Sequence, residues 1–165
     1  MARVLLINPS IKGSMYQTPC LGLGYIGASL KKAGHDVTVI DGCLSDVNAK
    51  RVIGLTDELR PDCIGVTAFT LQYVAIREIF HVVKQLNPHI MTVFGGQHAS
   101  ALTEYVMKEN PEIDFTIKGE GEDDLVTDDE GHVFEYTEQD ICEQLRKKVR
   151  PYQDADKEVK HFTLT

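Results

Sequence analysis

Five short apolar runs, separated by polar turns and by stretches of helical spacing, constrain this chain more than any other feature. They are Val4-Leu5-Leu6-Ile7, Val37-Thr38-Val39-Ile40, Cys63-Ile64-Gly65-Val66-Thr67, Met91-Thr92-Val93-Phe94 and Asp114-Phe115-Thr116-Ile117-Lys118. The first is continuously apolar, as a strand buried on both faces requires. Between the runs, Leu23, Ile26, Gly27, Leu30 and Ala33 recur at helical spacing, with Lys31 and Lys32 in the last turn and Gly34 as the stop. Ser45 or Asp46 can cap a second helix with Val47, Val52, Ile53 and Leu59 inward. Leu71 to Leu86 reads as a third, with Ile76, Ile79, Phe80, Val83 and Leu86 on one face, and Ala101 to Lys108 as a short fourth.

Strict alternation of strand and helix implies a parallel sheet with right-handed crossovers and helices on both faces. Five strands at this spacing fit a three-layer α/β/α, flavodoxin-like (Rossmann-like) domain with a five-stranded parallel sheet of order 2-1-3-4-5. That domain is expected over residues 1–122. From 123 to 165 the pattern becomes an extension and charged tail of the same domain. Leu125-Val126 and Val133-Phe134 flank Asp128-Asp129-Glu130-Gly131 as a hairpin signal, and a helix starts at Thr137 with Ile141, Leu145 and Val149 inward.

Of 165 residues, 42% are hydrophobic and 25% charged, and the net charge is −8. That is ordinary globular composition, and without a basic cluster it argues against nucleic acid or anionic membrane as a partner. No apolar run approaches the roughly 20 residues of a membrane span. The opening Val4 to Ile7 run is too short for a signal peptide and passes into a polar loop. Cys20, Cys43, Cys63 and Cys142 form no C-x-x-C, which predicts reduced thiols in a cytoplasmic protein.

Ligands of open parallel sheets bind at the carboxyl ends of the strands. There the fourth run stops at Gly95-Gly96, where a ligand can lie against main chain without a Cβ in the way. A second glycine stretch, Gly22-Leu23-Gly24-Tyr25-Ile26-Gly27, matches G-x-G-x-x-G, and Asp41 closes the next strand where a ribose-binding acid would sit. Yet the first glycine of a dinucleotide fingerprint belongs in the turn just after strand one, so that the pyrophosphate meets the helix N-terminus. Here thirteen residues intervene between Asn8 and Gly22, which puts these glycines inside the helix. A receiver domain needs an acceptor Asp at the end of strand three, where Thr67 stands, and Ser10-Ile11-Lys12-Gly13-Ser14 is a poor flavin phosphate loop.

The chain resembles the N-terminal cobalamin-binding domain of cobalamin-dependent radical SAM enzymes. The matching residues are Asn8-Pro9, Pro19-Cys20-Leu21-Gly22-Leu23-Gly24-Tyr25-Ile26, Gly34 through Asp41, Pro61 through Thr67, Gly95-Gly96-Gln97-His98-Ala99-Ser100 and Gly119-Glu120-Gly121-Glu122, over about residues 3 to 122. The wider cobalamin fold carries D-x-H-x-x-G after strand one, S-x-L after strand three and G-G after strand four. Thr67-Ala68-Phe69 stands at the second, and twenty-five residues, Thr70 to Phe94, separate it from Gly95-Gly96. At the first, Gln17 takes the Asp position, Pro19 the His position, and Gly22 the glycine.

The resemblance therefore implies cobalamin held base-off without a histidine ligand. The cofactor-binding candidates are Ser10, Gln17, Pro19, Leu21 and Gly22 after strand one, Thr67, Ala68 and Phe69 after strand three, Gly95, Gly96, Gln97 and His98 after strand four, and Gly119, Glu120 and Gly121 after strand five. His98 is expected to bond a loop or a cofactor edge rather than a metal, and the other histidines to lie on the surface. Glu120 and Glu122 order a loop or cap a helix. No C-x-x-x-C-x-x-C is present to hold an iron–sulfur cluster, and neither catalytic residues nor metal ligands are assigned. The implied role is a binding module that presents the corrinoid to a radical SAM or methyltransfer partner domain. The alternatives are a nicotinamide-dinucleotide domain using Gly22, Gly24, Gly27 and Asp41, and an interaction domain without a ligand.

Overall fold

The computed structural model describes residues 1–11 and 18–119 and, as backbone alone, the strands 124–127 and 133–136. Strands β1 (Arg3–Asn8), β2 (Asp36–Asp41), β3 (Cys63–Thr67), β4 (Met91–Gly95) and β5 (Phe115–Lys118) alternate with α1 (Leu21–Lys32), α2 (Ala49–Leu59), α3 (Tyr73–Leu86), α4 (Gln97–Ala101) and α5 (Thr103–Glu109). The first five strands are parallel in the order 2-1-3-4-5. Two more, β6 (Asp124–Thr127) and β7 (Val133–Tyr136), add to β5 as an antiparallel hairpin, which makes seven strands in the sheet among the described residues. The helix and tail expected from Thr137 onward lie outside the described residues.

Alternation along the strands divides the core. Leu5, Ile7, Ile64, Val66 and Phe94 face α2, α3 and α5, while Val4, Leu6, Val37, Cys63 and Met91 face α1. Phe94 and Ile64 are fully buried, and truncating such a side chain to Ala typically costs about 2–5 kcal/mol. Gly27 lets α1 lie close to the sheet, because a Cβ there would sit 3.0 Å from Val39 Cγ2.

Several local expectations change. Asn48, not Ser45 or Asp46, caps α2, accepting from the Arg51 N–H at 3.1 Å. Leu55 and Thr56, rather than Ile53, join Val52 on its buried face. Leu86, the last residue of α3, is 44% exposed, and the buried face of the helix ends at Val83. The single fourth helix is two, breaking at Leu102, and begins at Gln97. His35, expected at the surface, is buried where its Nδ1 accepts the Ala2 N–H at 3.2 Å.

Candidate cofactor site

The carboxyl ends of β3 and β4 are joined beyond the last ladder pair. Thr67 pairs with Gly95 in register. The Ala68 N–H then donates to the Gly95 carbonyl at 3.2 Å, and the His98 N–H to the Ala68 carbonyl at 3.2 Å. Gly96 makes this approach possible, with φ at +94°. A Cβ on it would lie 2.6 Å from Thr67 Oγ1 and 2.9 Å from the Ala68 nitrogen. Its neighbour differs. A Cβ on Gly95 would meet only Ile117 Cβ, at 3.8 Å. Gly96 is thus required by the chain itself, and Gly95 supplies the open main chain.

Behind this clasp His98 is 3% exposed. Its Nδ1 lies 3.1 Å from Thr70 Oγ1, its ring is 4.3 Å from that of Tyr73, and its Nε2 has no hydrogen-bond partner among the described residues. Burial lowers its pKa and so favours the neutral imidazole. Gln97 is exposed. Ser100 ties in the turn after β5, its Oγ donating to the Gly96 carbonyl at 3.0 Å and accepting the Gly119 N–H at 3.0 Å.

A second, more polar cluster occupies the ends of β1 and β2. Gln72, only 2% exposed, donates from Nε2 to Asn8 Oδ1 at 3.1 Å and to the Pro9 carbonyl, and its Oε1 accepts the Phe69 N–H at 2.8 Å. Asn8 Nδ2 donates to Asp41 at 2.9 Å, which also accepts the N–H groups of Cys20 at 2.8 Å and Cys43 at 2.9 Å. Burial pushes the Asp41 carboxyl up, but these donors outweigh it and hold its pKa below the ordinary value. Burial and then the Asp41 charge push the Cys43 thiol up. The Ser10 hydroxyl is engaged with the Gly42 and Ser45 carbonyls and accepts the Val47 N–H at 2.7 Å.

Large apolar side chains stand exposed along this carboxyl edge: Ile11 after β1, Leu21 opening α1, Leu44 after β2, Phe69 and Leu71 after β3, and Leu102 after α4. Together they offer apolar surface to a large flat ligand.

Of the candidates, Thr67, Ala68, Gly95, Gly96 and His98 come together directly, with Phe69 and Gly119 adjoining. Pro19, Leu21 and Gly22 sit exposed at the start of α1, and Ser10 faces the β2–α2 loop. Gln17, Glu120, Gly121 and Glu122 lie outside the described residues. Gly22, Gly24 and Gly27 are inside α1 rather than in a phosphate-binding turn, and Asp41 is committed to Asn8, Cys20 and Cys43. Among the described residues no group of three potential metal ligands occurs, and no helix is long and apolar enough to cross a membrane. Sequence reasoning missed Gln72. Its signal is spacing, for residue 72 continues the buried series Ile76, Ile79, Phe80 and Val83 one turn earlier.

The family model described as B12 binding domain matches residues 13–127. An uncharacterized methyltransferase from Pyrococcus horikoshii is 31% identical over 125 residues, 73% of this chain and 27% of that protein. The anaerobic magnesium-protoporphyrin IX monomethyl ester cyclase of Rubrivivax gelatinosus is 33% identical over 125 residues, 73% of this chain and 22% of its own length. The cytidylyl-2-hydroxyethylphosphonate methyltransferase of Streptomyces wedmorensis is 28% identical, over 89% of this chain and 33% of its own. The chain thus spans a third or less of the length of these curated relatives. Among solved structures, a cobalamin-binding protein from Desulfitobacterium hafniense aligns with a TM-score of 0.58 at 17% identity, over 87% of this chain and 58% of that one. The C-terminal domain of the coenzyme A biosynthesis bifunctional protein CoaBC also gives 0.58, at 12% identity, over 94% of this chain and 97% of that one. Two differently described neighbours at equal similarity show the fold and leave the ligand to the family match and the site.

Proposed function

This chain belongs to the B12 binding domain family, and from that premise we propose that it holds cobalamin across the carboxyl edge of its sheet, base-off and without a histidine on cobalt, and presents it to a radical SAM or methyltransfer partner domain. The observation that carries this reading is the junction of β3 and β4. There Gly96 lets Ala68 and Gly95 meet, and Gly95 leaves main chain uncovered beside the Thr67 hydroxyl. The residues present fit the nucleotide tail of cobalamin at that junction. Thr67 Oγ1 offers a donor and acceptor, Gly95 offers close main-chain approach, and the exposed Phe69, Leu71 and Leu21 offer apolar contact to a macrocycle above.

When bound, cobalamin supplies the methyl-transfer or radical chemistry. The chain's own residues bind and orient it. Pro19, in the place of the family's ligating histidine, has no side-chain donor atom. His98 is buried behind the strand-end junction, which supports a bound corrinoid that would take no imidazole from it. The relatives named as methyltransferases support the kind of partner.

Mixing the protein with hydroxocobalamin or with NAD, desalting, and recording absorbance tests the cofactor. Corrinoid bands are expected to stay with the protein and NAD to be lost; the reverse would favour the dinucleotide reading. In Gly95→Val a branched side chain enters the open face, and cobalamin affinity is expected to fall at least about tenfold with the fold kept. Electron paramagnetic resonance of the Co(II) form is expected to lack nitrogen superhyperfine splitting. Splitting that vanishes in His98→Ala would show an imidazole ligand, and splitting that survives removal of every histidine would show the benzimidazole still bound.

A further inference from the structure

In a 2-1-3-4-5 sheet the chain leaves β1 toward one face and β3 toward the other, and the crevice between those strand ends is where such folds commonly seat a ligand. Here α1, which follows β1, packs against Val4, Leu6 and Val37, while α3, which follows β3, packs on the opposite face with Leu5, Ile7 and Val66. The crevice therefore falls between Asn8-Pro9 and Ala68-Phe69. It is not left open. The Gln72 side chain lies across it, bonded to Asn8 and Pro9 on the β1 side and to Phe69 on the β3 side, and it is almost wholly buried.

We propose that Gln72 is the positioning residue that closes the β1/β3 crevice and so directs the tail of the bound cofactor to the β3/β4 junction. The proposal rests on the cobalamin reading above and adds to it the device that selects one crevice over the other. Gln72 also opens a continuous chain of hydrogen bonds, Phe69–Gln72–Asn8–Asp41, which ends on the N–H groups of Cys20 and Cys43. Through it the first turn of α1, with Leu21 and Gly22, is held at a set distance from Phe69. These are the two sides between which a macrocycle would rest.

The amide is suited to this task because it faces two oxygens with its NH2 and one N–H with its carbonyl. A glutamate of the same shape can imitate it only when protonated. Ionised, it would set a buried negative charge against Asn8 Oδ1 and the Pro9 carbonyl. Hydroxocobalamin affinity and thermal melting of the full chain are therefore to be measured at pH 5.5 and pH 9 for the wild type, Gln72→Glu and Gln72→Leu. The other titratable groups of the network, Asp41, Cys20 and Cys43, are common to all three, so the wild type serves as their control.

For Gln72→Glu the expected result is affinity near that of the wild type at pH 5.5 and at least about tenfold weaker at pH 9, against less than about threefold change in the wild type. Gln72→Leu is expected to bind weakly at both. If Gln72→Leu fails to fold, the two-pH comparison within Gln72→Glu still decides. Variants that fold and bind like the wild type at both pH values would overturn the proposal. So would melting that drops with pH in Gln72→Glu while affinity does not, because Gln72 would then serve stability alone. A wild type that retains no hydroxocobalamin at either pH is a separate result: it removes the cofactor reading, and the role of Gln72 falls with it.

Discussion

Two glycine-bearing stretches flank the same edge of the sheet, and they are built differently. Gly22, Gly24 and Gly27 match a nucleotide-binding pattern letter for letter, yet they lie along a regular helix that starts after a long connection from β1. Of the three, only Gly27 meets anything within 4 Å of where its Cβ would be. Gly95-Gly96 matches a much shorter pattern, and there each glycine has its own reason. Gly96 adopts φ +94° against Thr67 and Ala68, and Gly95 remains open. What a glycine contributes is set by its place in the strand-to-helix turn, not by the spacing of letters around it.

The largest effect that would break this comparison is expected at Gly96. In Gly96→Val a branched side chain must adopt a positive φ and also occupy the space of Thr67 Oγ1 and Ala68. The expected loss is about 3 kcal/mol or more of stability, combining strain and overpacking. Gly95→Val should fold. Chemical denaturation that ranks the two variants equally would show that both glycines serve one purpose.

Next in size is Asp41, which anchors the start of the helix that carries the first stretch. Asp41→Asn removes a charged acceptor from three donors and is expected to cost about 1–2 kcal/mol at pH 7. The sign of the pH dependence follows from its lowered pKa. Stability from the ionised carboxylate is fully present above the unfolded value of about 3.9 and is lost as pH falls through the lower folded value. The gap in melting temperature between wild type and Asp41→Asn should therefore narrow only below about pH 4. A gap unchanged down to pH 2 would mean that the carboxylate is not what holds Cys20 and Cys43.

The same contrast shows where the sequence was legible. Short, largely apolar runs marked the first five strands, β1 most clearly because a strand covered on both faces has no polar alternative, and their alternation with helical spacing pointed to the order. Thr67 and Gly95-Gly96 were legible because each terminates such a run. Gln72 was legible only as a position on the buried spacing of α3, since a glutamine at the foot of a helix usually faces water, and its bonds to Asn8 and Pro9, more than sixty residues away, are what the sequence does not show. His35 was hidden for a similar reason: the Ala2 N–H it accepts comes from the far end of β1. Asp41 was visible as a strand-end acid, but its use in joining α1 to β2 depends on where the chain returns after residue 17.

The smallest effect concerns the two helix glycines that touch nothing. A glycine inside a helix costs about 0.5–1 kcal/mol relative to alanine, through the freedom it loses on folding. Gly24 is exposed, and a Cβ there would meet open space. Gly24→Ala is therefore expected to raise stability by about 0.5–1 kcal/mol without altering the packing of α1. Cobalamin retention should be unchanged, because the tail is assigned to the far side of the crevice that Gln72 closes. Gly22 is the sharper case. It has the same open surroundings, but it lies in the first turn beside Leu21, at the edge over which the macrocycle would extend. Gly22→Ala should give a similar gain in stability. If it also weakens hydroxocobalamin binding while Gly24→Ala does not, the first glycine is a contact and the second is a helix residue alone, and the division between the two stretches would run through α1 itself. If both variants bind as the wild type does, the whole first stretch is scaffold, and recognition belongs to the β3/β4 junction.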